Sequence, residues 1–284
     1  MVGSNPKVAD EVERYLCTGD TDMKHLAWSG GFVERVNRAH DDLRGALLQR
    51  VHQLASGKRH HPVPDGDAVA LTRTKVEPMV CGLFPRAEQD LILAKLEKSV
   101  VFLTHANVDS ILLKEGFHRA AWDLANLYLS SVGAELLGET APSLFGLSQE
   151  TTCYVSPEYF AEQDPFADFV VHEASHIFHN CKRRTLGLRE TGSKEWLLQI
   201  DFHERETFAY SCEAYACVVR RAENAPARRS LAEEYARTVR VPDERVDSKE
   251  VANIVGEAAE SRNGWKVILS RCAPPSTRRM SSSA

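Results

Sequence analysis

The stretch that decides the fold is Asp164–His179, which reads DPFADFVVHEASHIFH and contains the pattern H-E-x-x-H. Asp164 can accept hydrogen bonds from the free N–H groups of a first helical turn, and Pro165 loses nothing at the first helical position. Apolar side chains recur at helical spacing after them, and no further proline interrupts the stretch. We therefore predict a helix that begins at Asp164.

The histidines of this helix define a candidate metal site. At about 100° per residue, His172, His176 and His179 project from one face, and imidazoles one turn apart can bind one ion at about 2.0–2.2 Å. Glu173 lies about 100° round the helix from His172, where its carboxylate can reach a water molecule on the ion. The pattern predicts His172 and His176 as metal ligands and Glu173 as a general base. A buried helix whose histidines only bond to neighbouring side chains is the alternative.

The composition limits the class of protein. The chain has 284 residues, of which 43% are hydrophobic, and a net charge of −5. It can bury a sizeable core, and its charge gives no general attraction to nucleic acid or to an anionic membrane. Seven scattered cysteines without a C-x-x-C pair predict neither a disulfide framework nor a cysteine zinc site. No signal peptide or membrane span is visible, so we expect a cytoplasmic protein with no membrane partner.

Helical periodicity predominates along the rest of the chain. It predicts helices over residues 5–16, 32–54, 87–99, 108–114 and 117–137, and short strands at 100–103, 151–156 and 196–198. We therefore predict a mainly α (α+β) protein with a small sheet. The predicted organisation is a helical N-terminal region of unknown role over 1–85, a metal-binding catalytic domain over 86–272, and a disordered tail over 273–284.

A further predicted helix, His203–Arg220, offers a third metal ligand. Glu206 and Glu213 are seven residues apart, so both carboxylates lie on one face of that helix, with Tyr210 between them. A catalytic zinc site needs only three protein ligands, so one carboxylate suffices. The spacing alone leaves both glutamates as candidates.

At these residues the chain resembles the zincins, and among them the gluzincins, in which a second helix supplies a glutamate as the third zinc ligand. The aminopeptidase branch shows N-E-G-F-A-x-Y-x-E, which is similar to ETFAYSCE at Glu206–Glu213, and H-E-x-x-H-x-W/F, which is similar to His172–Phe178. Arg205 and Thr207 stand where the family has Asn and Gly, and no exopeptidase G-x-M-E-N motif occurs upstream. The resemblance covers roughly residues 103–221.

This resemblance implies a zincin-like core and a zinc-dependent hydrolase, a peptidase with a peptide or protein substrate. It implies that His172, His176 and Glu206 bind Zn²⁺, with Glu213 as the reserve ligand, and that Glu173 takes a proton from the attacking water. In zincins a strand before the metal helix pairs with the extended substrate, and residues 151–156 resemble that strand.

Two other functions fit the same residues. Two imidazoles and one carboxylate also hold Fe²⁺ in non-haem oxygenases, so the site would suit hydroxylation of a peptide, in which Glu173 has no required role. A non-catalytic interaction protein, with a structural or lost metal, is the third hypothesis. For the hydrolase, Tyr210, His179 and Tyr154 are candidate donors to the oxyanion.

Overall fold

The computed structural model describes residues 6–64, 67–139, 141, 145–190 and 194–275. Within this part the chain is mainly helical, as predicted, with eleven α-helices and three short strands. The helices are α1 (Pro6–Thr18), α2 (Phe32–Ala55), α3 (Ala68–Leu83), α4 (Arg86–Leu96), α5 (Val108–Lys114), α6 (His118–Ser131), α7 (Phe169–Asn180), α8 (Arg205–Arg221), α9 (Ala225–Thr238), α10 (Ser248–Glu260) and α11 (Gly264–Cys272). The strands β1 (Val100–Phe102), β2 (Gly146–Ser148) and β3 (Cys153–Val155) form one sheet in the order β1-β3-β2.

The chain divides into two compact units. The first comprises Met1–Pro64, Phe102–Leu147 and Ser156–Ala161, and the second comprises Asp65–Val101, Ser148–Val155 and Glu162–Ala284. In the first unit, α2 packs against α1, α5 and α6. The predicted boundary between residues 85 and 86 stays a prediction, and residues 276–284 of the predicted tail lie outside the described residues.

Two helices form the centre of the second unit. The helix α8 packs against α7, α9, α10 and α11, and most of its residues are buried. Phe208 of α8 meets Phe178 of α7 at a ring-centroid distance of 6.5 Å, and both side chains are fully buried. Burial of such a ring contributes about 1.5–3 kcal/mol. A side chain at Gly264 would collide with the Tyr215 ring, so this glycine lets α11 lie close to α8.

The helix α7, which carries the H-E-x-x-H pattern, starts later than predicted. The helix α7 begins at Phe169 and is capped by Asp168, whereas the sequence favoured a cap at Asp164. Asp164 instead forms a turn: its Oδ1 accepts the Phe166 N–H at 2.9 Å, and its carbonyl accepts the Ala167 N–H at 3.2 Å. Asp-Pro suits a turn as well as a helix start, so local sequence could not separate the two.

Two other predicted elements need correction, and one helix was missed. Residues 196–198 form no strand, because Trp196 makes only an isolated bridge to Lys182. The helix α6 ends at Ser131 and not at residue 137, since Gly133 adopts a φ of +61° and the chain reverses there. The helix α3 was not predicted at all. Its interior Pro78 is a residue that usually breaks helices.

Candidate metal centre

The second unit brings the three predicted metal ligands together. The Nε2 atoms of His172 and His176 are 3.3 Å apart, and the Oε2 atom of Glu206 lies 3.6 Å from the first and 3.5 Å from the second. Tetrahedral zinc with bonds of about 2.0–2.1 Å separates neighbouring ligand atoms by about 3.3–3.4 Å. In the described part of the chain, this is the one group of three such residues whose ligand atoms converge. The donor set therefore fits a zinc ion.

Glu213 holds His172 from the side opposite the ligand cluster. Its Oε2 lies 3.0 Å from the Nδ1 of His172, and its Oε1 accepts the backbone N–H of Asp168 at 2.7 Å. A carboxylate at Nδ1 favours the tautomer in which that nitrogen carries the proton. The Nε2 of His172 faces the other two candidate donor atoms. Glu213 therefore contacts the far nitrogen of His172, whereas Glu206 contacts the nitrogen atoms that converge.

His176 is oriented in the same way by its neighbour on α7. The Nδ1 of His176 is 3.0 Å from the Nε2 of His179, and the Nδ1 of His179 is 3.1 Å from the Asn180 side-chain oxygen. Burial and the neighbouring His176 and Arg205 lower the pKa of His179 to about 3, so this ring is neutral. A neutral His179 that donates to Asn180 accepts the proton of His176 Nδ1, which leaves His176 Nε2 facing the cluster.

The surroundings of the cluster favour a positive charge. Burial lowers the pKa of His172, but the contacts with Glu206 and Glu213 and the charge of Glu173 raise it more, to about 10. Burial also opposes the charge of Glu206, yet its contacts with His172 and His176 bring the pKa of this carboxyl well below its usual range. Several carboxylates around two imidazoles form a site whose charge a divalent cation would balance.

The predicted general base is held by a residue that the sequence did not reveal. The Ser148 hydroxyl, at the end of β2, lies 2.6 Å from the Oε2 of Glu173 and 2.7 Å from its backbone oxygen. Glu173 itself is buried. A hydroxyl that donates to a buried carboxylate fixes its orientation. Ser148 lies 25 residues before Glu173 on a strand that was not predicted, so no local signal could have identified it.

A second network ties the start of α7 to two other helices. The Asp168 side chain is only 1% exposed, and its Oδ2 accepts from Lys75 Nζ of α3 and from Arg220 Nη1 of α8, each at 2.7 Å. Because the Asp168 N–H binds Glu213, this network continues to His172. Hydrogen bonds and ion pairs therefore link Asp168, the cap of α7, to Lys75 and Arg220 and, through Glu213, to His172.

We expect Asp168→Asn to lower the free energy of unfolding by about 2–3 kcal/mol, because Lys75 would lose a buried partner. The loss is smaller than for a fully buried pair since the Arg220 side chain remains partly exposed. Urea unfolding of chelator-treated protein measures it. The control Glu234→Gln removes a partner of Arg221 from an exposed pair and should change stability by less than about 0.5 kcal/mol. Equal effects of the two variants would contradict this role of Asp168.

The three candidate oxyanion donors have different positions. His179 contacts His176 at the ring nitrogen that faces away from the cluster, so it does not face the ion site. The Tyr210 ring stands edge-on to the His172 ring with centroids 4.5 Å apart. Burial, followed by the charges of Glu213 and Glu206, raises the pKa of Tyr210, so its hydroxyl is protonated and able to donate. Tyr154 is half-buried on β3.

Comparison of the chain with family models, with curated proteins and with solved structures finds no match. The resemblance to the gluzincins therefore remains a prediction from the sequence motifs. Among the described residues, no helix has both the length and the apolar composition that crossing a membrane requires. The function is inferred below from the geometry of the site.

Proposed function

We propose that the protein is a zinc-dependent hydrolase that cleaves peptide bonds, with His172, His176 and Glu206 as ligands and Glu173 as general base. The observation that supports this function most is the triangle of ligand atoms with sides of 3.3, 3.5 and 3.6 Å. Each imidazole also contacts a further side chain through the ring nitrogen that faces away from the triangle, Glu213 for His172 and His179 for His176, as is usual for metal-binding histidines. Such preparation costs folding energy and is expected where an ion binds.

The residues around the ligands suit hydrolysis. A zinc ion with three protein ligands supplies a Lewis acid that lowers the pKa of water to about 7 and polarises a carbonyl group. The Glu173 carboxylate, oriented by Ser148, accepts the proton of the attacking water and passes it to the leaving amine. The protonated Tyr210 hydroxyl beside His172 is the candidate donor to the carbonyl oxygen.

The same ligands would also suit Fe²⁺ in an oxygenase. One contact favours hydrolysis over that alternative: a buried carboxylate next to the first ligand is held in one orientation by the Ser148 hydroxyl. A general base needs this orientation, whereas a two-histidine, one-carboxylate iron site has no use for a further carboxylate. Hydrolysis therefore gives the buried Glu173 carboxylate a role, whereas the oxygenase gives it none.

Metal analysis of the purified chain, combined with cleavage of a mixed peptide library, tests this function. We expect about one zinc ion per chain, peptide cleavage that chelation abolishes, and recovery of cleavage when zinc is restored. Bound iron together with peptides that gain an oxygen atom would assign the oxygenase instead. Protein that binds no metal and keeps its stability during chelation would assign the interaction protein.

We expect Ser148→Ala to lower kcat by about tenfold while the zinc content stays unchanged, because the general base loses its orientation but no ligand is touched. Ser148→Thr keeps a hydroxyl and should recover most of the activity. The control is Ser261→Ala at the exposed end of α10, whose hydroxyl contacts only the Glu257 carbonyl. A normal kcat in Ser148→Ala would show that this contact does not serve catalysis.

A further inference from the structure

The first unit contains a cluster of polar side chains that the proposed hydrolase does not use. A cavity of about 510 Å³ lies among His25, Asn37, His40, Asp41 and His118. The His118 ring is central: its centroid lies 5.5 Å from that of His40 and 5.9 Å from that of His25. Three imidazoles thus line one cavity. His25 lies on the loop before α2, His40 on α2, and His118 at the first residue of α6.

Two of the side chains that line this cavity have unpartnered polar atoms. Among the described residues, six buried side-chain nitrogen and oxygen atoms have no hydrogen-bond partner, and two of them, His25 Nδ1 and His118 Nδ1, belong to residues that line the cavity. His25 is only 7% exposed, so its ring has little access to water elsewhere. Buried polar atoms in native proteins nearly always have partners. A ligand in the cavity would provide them.

The buried guanidinium of Arg44 points to the charge of that ligand. Arg44 is 1% exposed and donates to two neutral oxygens, the Tyr15 hydroxyl at 3.1 Å and the Glu115 carbonyl at 2.8 Å. In the described part of the chain it forms no ion pair within 4.0 Å. Burial lowers its pKa although the charges of Tyr15 and Glu115 oppose the shift. Arg44 does not line the cavity, but its charge acts on His118, which does, so an anion bound beside His118 would interact favourably with this guanidinium.

The backbone of His25 is also held in a strained form. Its φ is +48°, and it is the one residue other than glycine with a positive φ in the described part of the chain. The conformation costs on the order of 1 kcal/mol, and such residues cluster at ligand-binding sites. Here the strain places a buried imidazole with a free nitrogen against the cavity.

We propose that this cavity is a binding site for a small molecule with an oxyanion, either a phosphate or a carboxylate group, held by His25, His40 and His118. The volume exceeds that of a single inorganic ion and lies within the range of about 300–1,000 Å³ for small-molecule sites. The first turn of α6, which carries His118, adds the positive end of a helix. Asp41 also lines the cavity and is exposed, and because its carboxylate would repel an anion, we place the ligand's anionic group beside the histidines.

A metal ion fits this cavity poorly. Three ligand atoms from His25, His40 and His118 do not converge as those of the second unit do. Burial, then the charges of Arg44, His40 and His25, lower the pKa of His118 to about 4. The His118 ring is therefore neutral at pH 7 and can donate one ring N–H to an oxyanion.

Calorimetric titration of the full chain with inorganic phosphate and with acetate, at constant ionic strength in chloride, tests the site. We expect one of the two anions to bind. His40→Ala and His25→Asn should each weaken its binding by about tenfold or more, which is the usual effect of losing a hydrogen bond to a charged group. Asparagine tolerates positive φ, so His25→Asn keeps the loop conformation. The control His52→Ala removes an exposed histidine of the same helix and should change binding less than about twofold.

The preferred anion identifies the chemistry: tighter phosphate binding assigns a phosphate group, and tighter acetate binding assigns a carboxylate. Absence of binding, or equal binding by His40→Ala, His25→Asn and the control, would overturn the site. A second equivalent of zinc that these two variants lose would also overturn it, in favour of a metal site. Because none of the substituted residues belongs to α7 or α8, the result is independent of the proposed hydrolase activity.

Discussion

Glu206→Ala should weaken zinc binding by more than about 100-fold, whereas Glu213→Ala should weaken it by about 10–100-fold, as is typical for a residue that orients a ligand. Glu206 Oε2 lies 3.6 and 3.5 Å from the Nε2 atoms of His172 and His176, so its loss removes a donor atom and a negative charge from the candidate ion site. Glu213 contacts His172 at Nδ1, the ring nitrogen that faces away from the other two donor atoms, so its loss leaves all three donors in place. Zinc titration of the two variants against a competing chelator measures the order.

The order of the two effects is the decisive result. Glu223→Ala, an exposed glutamate just after α8, is the matched control and should bind zinc with the affinity of the parent protein. If Glu213→Ala proved the more damaging substitution, the ligand role would pass to Glu213. His172→Ala, which removes a ligand and the partner of Glu213 together, should abolish binding.

The convergence of His172, His176 and Glu206 could be predicted from the sequence because their arrangement is mostly local. His172 and His176 are one helical turn apart, and any helix through them places both rings on one face. The position of Glu206 needed a second helix to pack beside the first, and the prediction depended on the resemblance of its flanking residues to a known motif. Ala209 and Phe208, both fully buried, belong to the interior of that packing.

The residues that hold Glu173 and Asp168 could not be predicted, because these contacts join positions distant in sequence. Ser148 meets Glu173 across 25 residues, and Lys75 meets Asp168 across 93. The start of α7 is a related case. Asp164 and Asp168 both suit a helix cap, but only Asp168 has its N–H bound by Glu213 and its carboxylate paired with Lys75. Tertiary contacts therefore determined which cap was used.

Glu173→Gln should lower peptide cleavage by about 10²–10⁴-fold, the usual contribution of general acid–base catalysis, and should leave fold and metal content unchanged. Glutamine has the same shape as glutamate, and its side-chain oxygen can still accept the Ser148 hydroxyl, so the contact at 2.6 Å need not be lost. The amide cannot take a proton from water. KM should therefore stay near the parent value while kcat falls, because the loss concerns only the transition state.

Two comparisons make the Glu173→Gln result specific. Ser148→Ala should retain about a tenth of the parent kcat, so the larger loss in Glu173→Gln would separate the proton acceptor from the residue that orients it. His176→Ala should lose activity together with the metal, whereas Glu173→Gln should lose activity with the metal still bound, since Glu173 is not among the three converging ligands. Cleavage by Glu173→Gln at the parent rate would exclude Glu173 as the base. Bound iron and peptide hydroxylation that persists in Glu173→Gln would identify the site as an oxygenase.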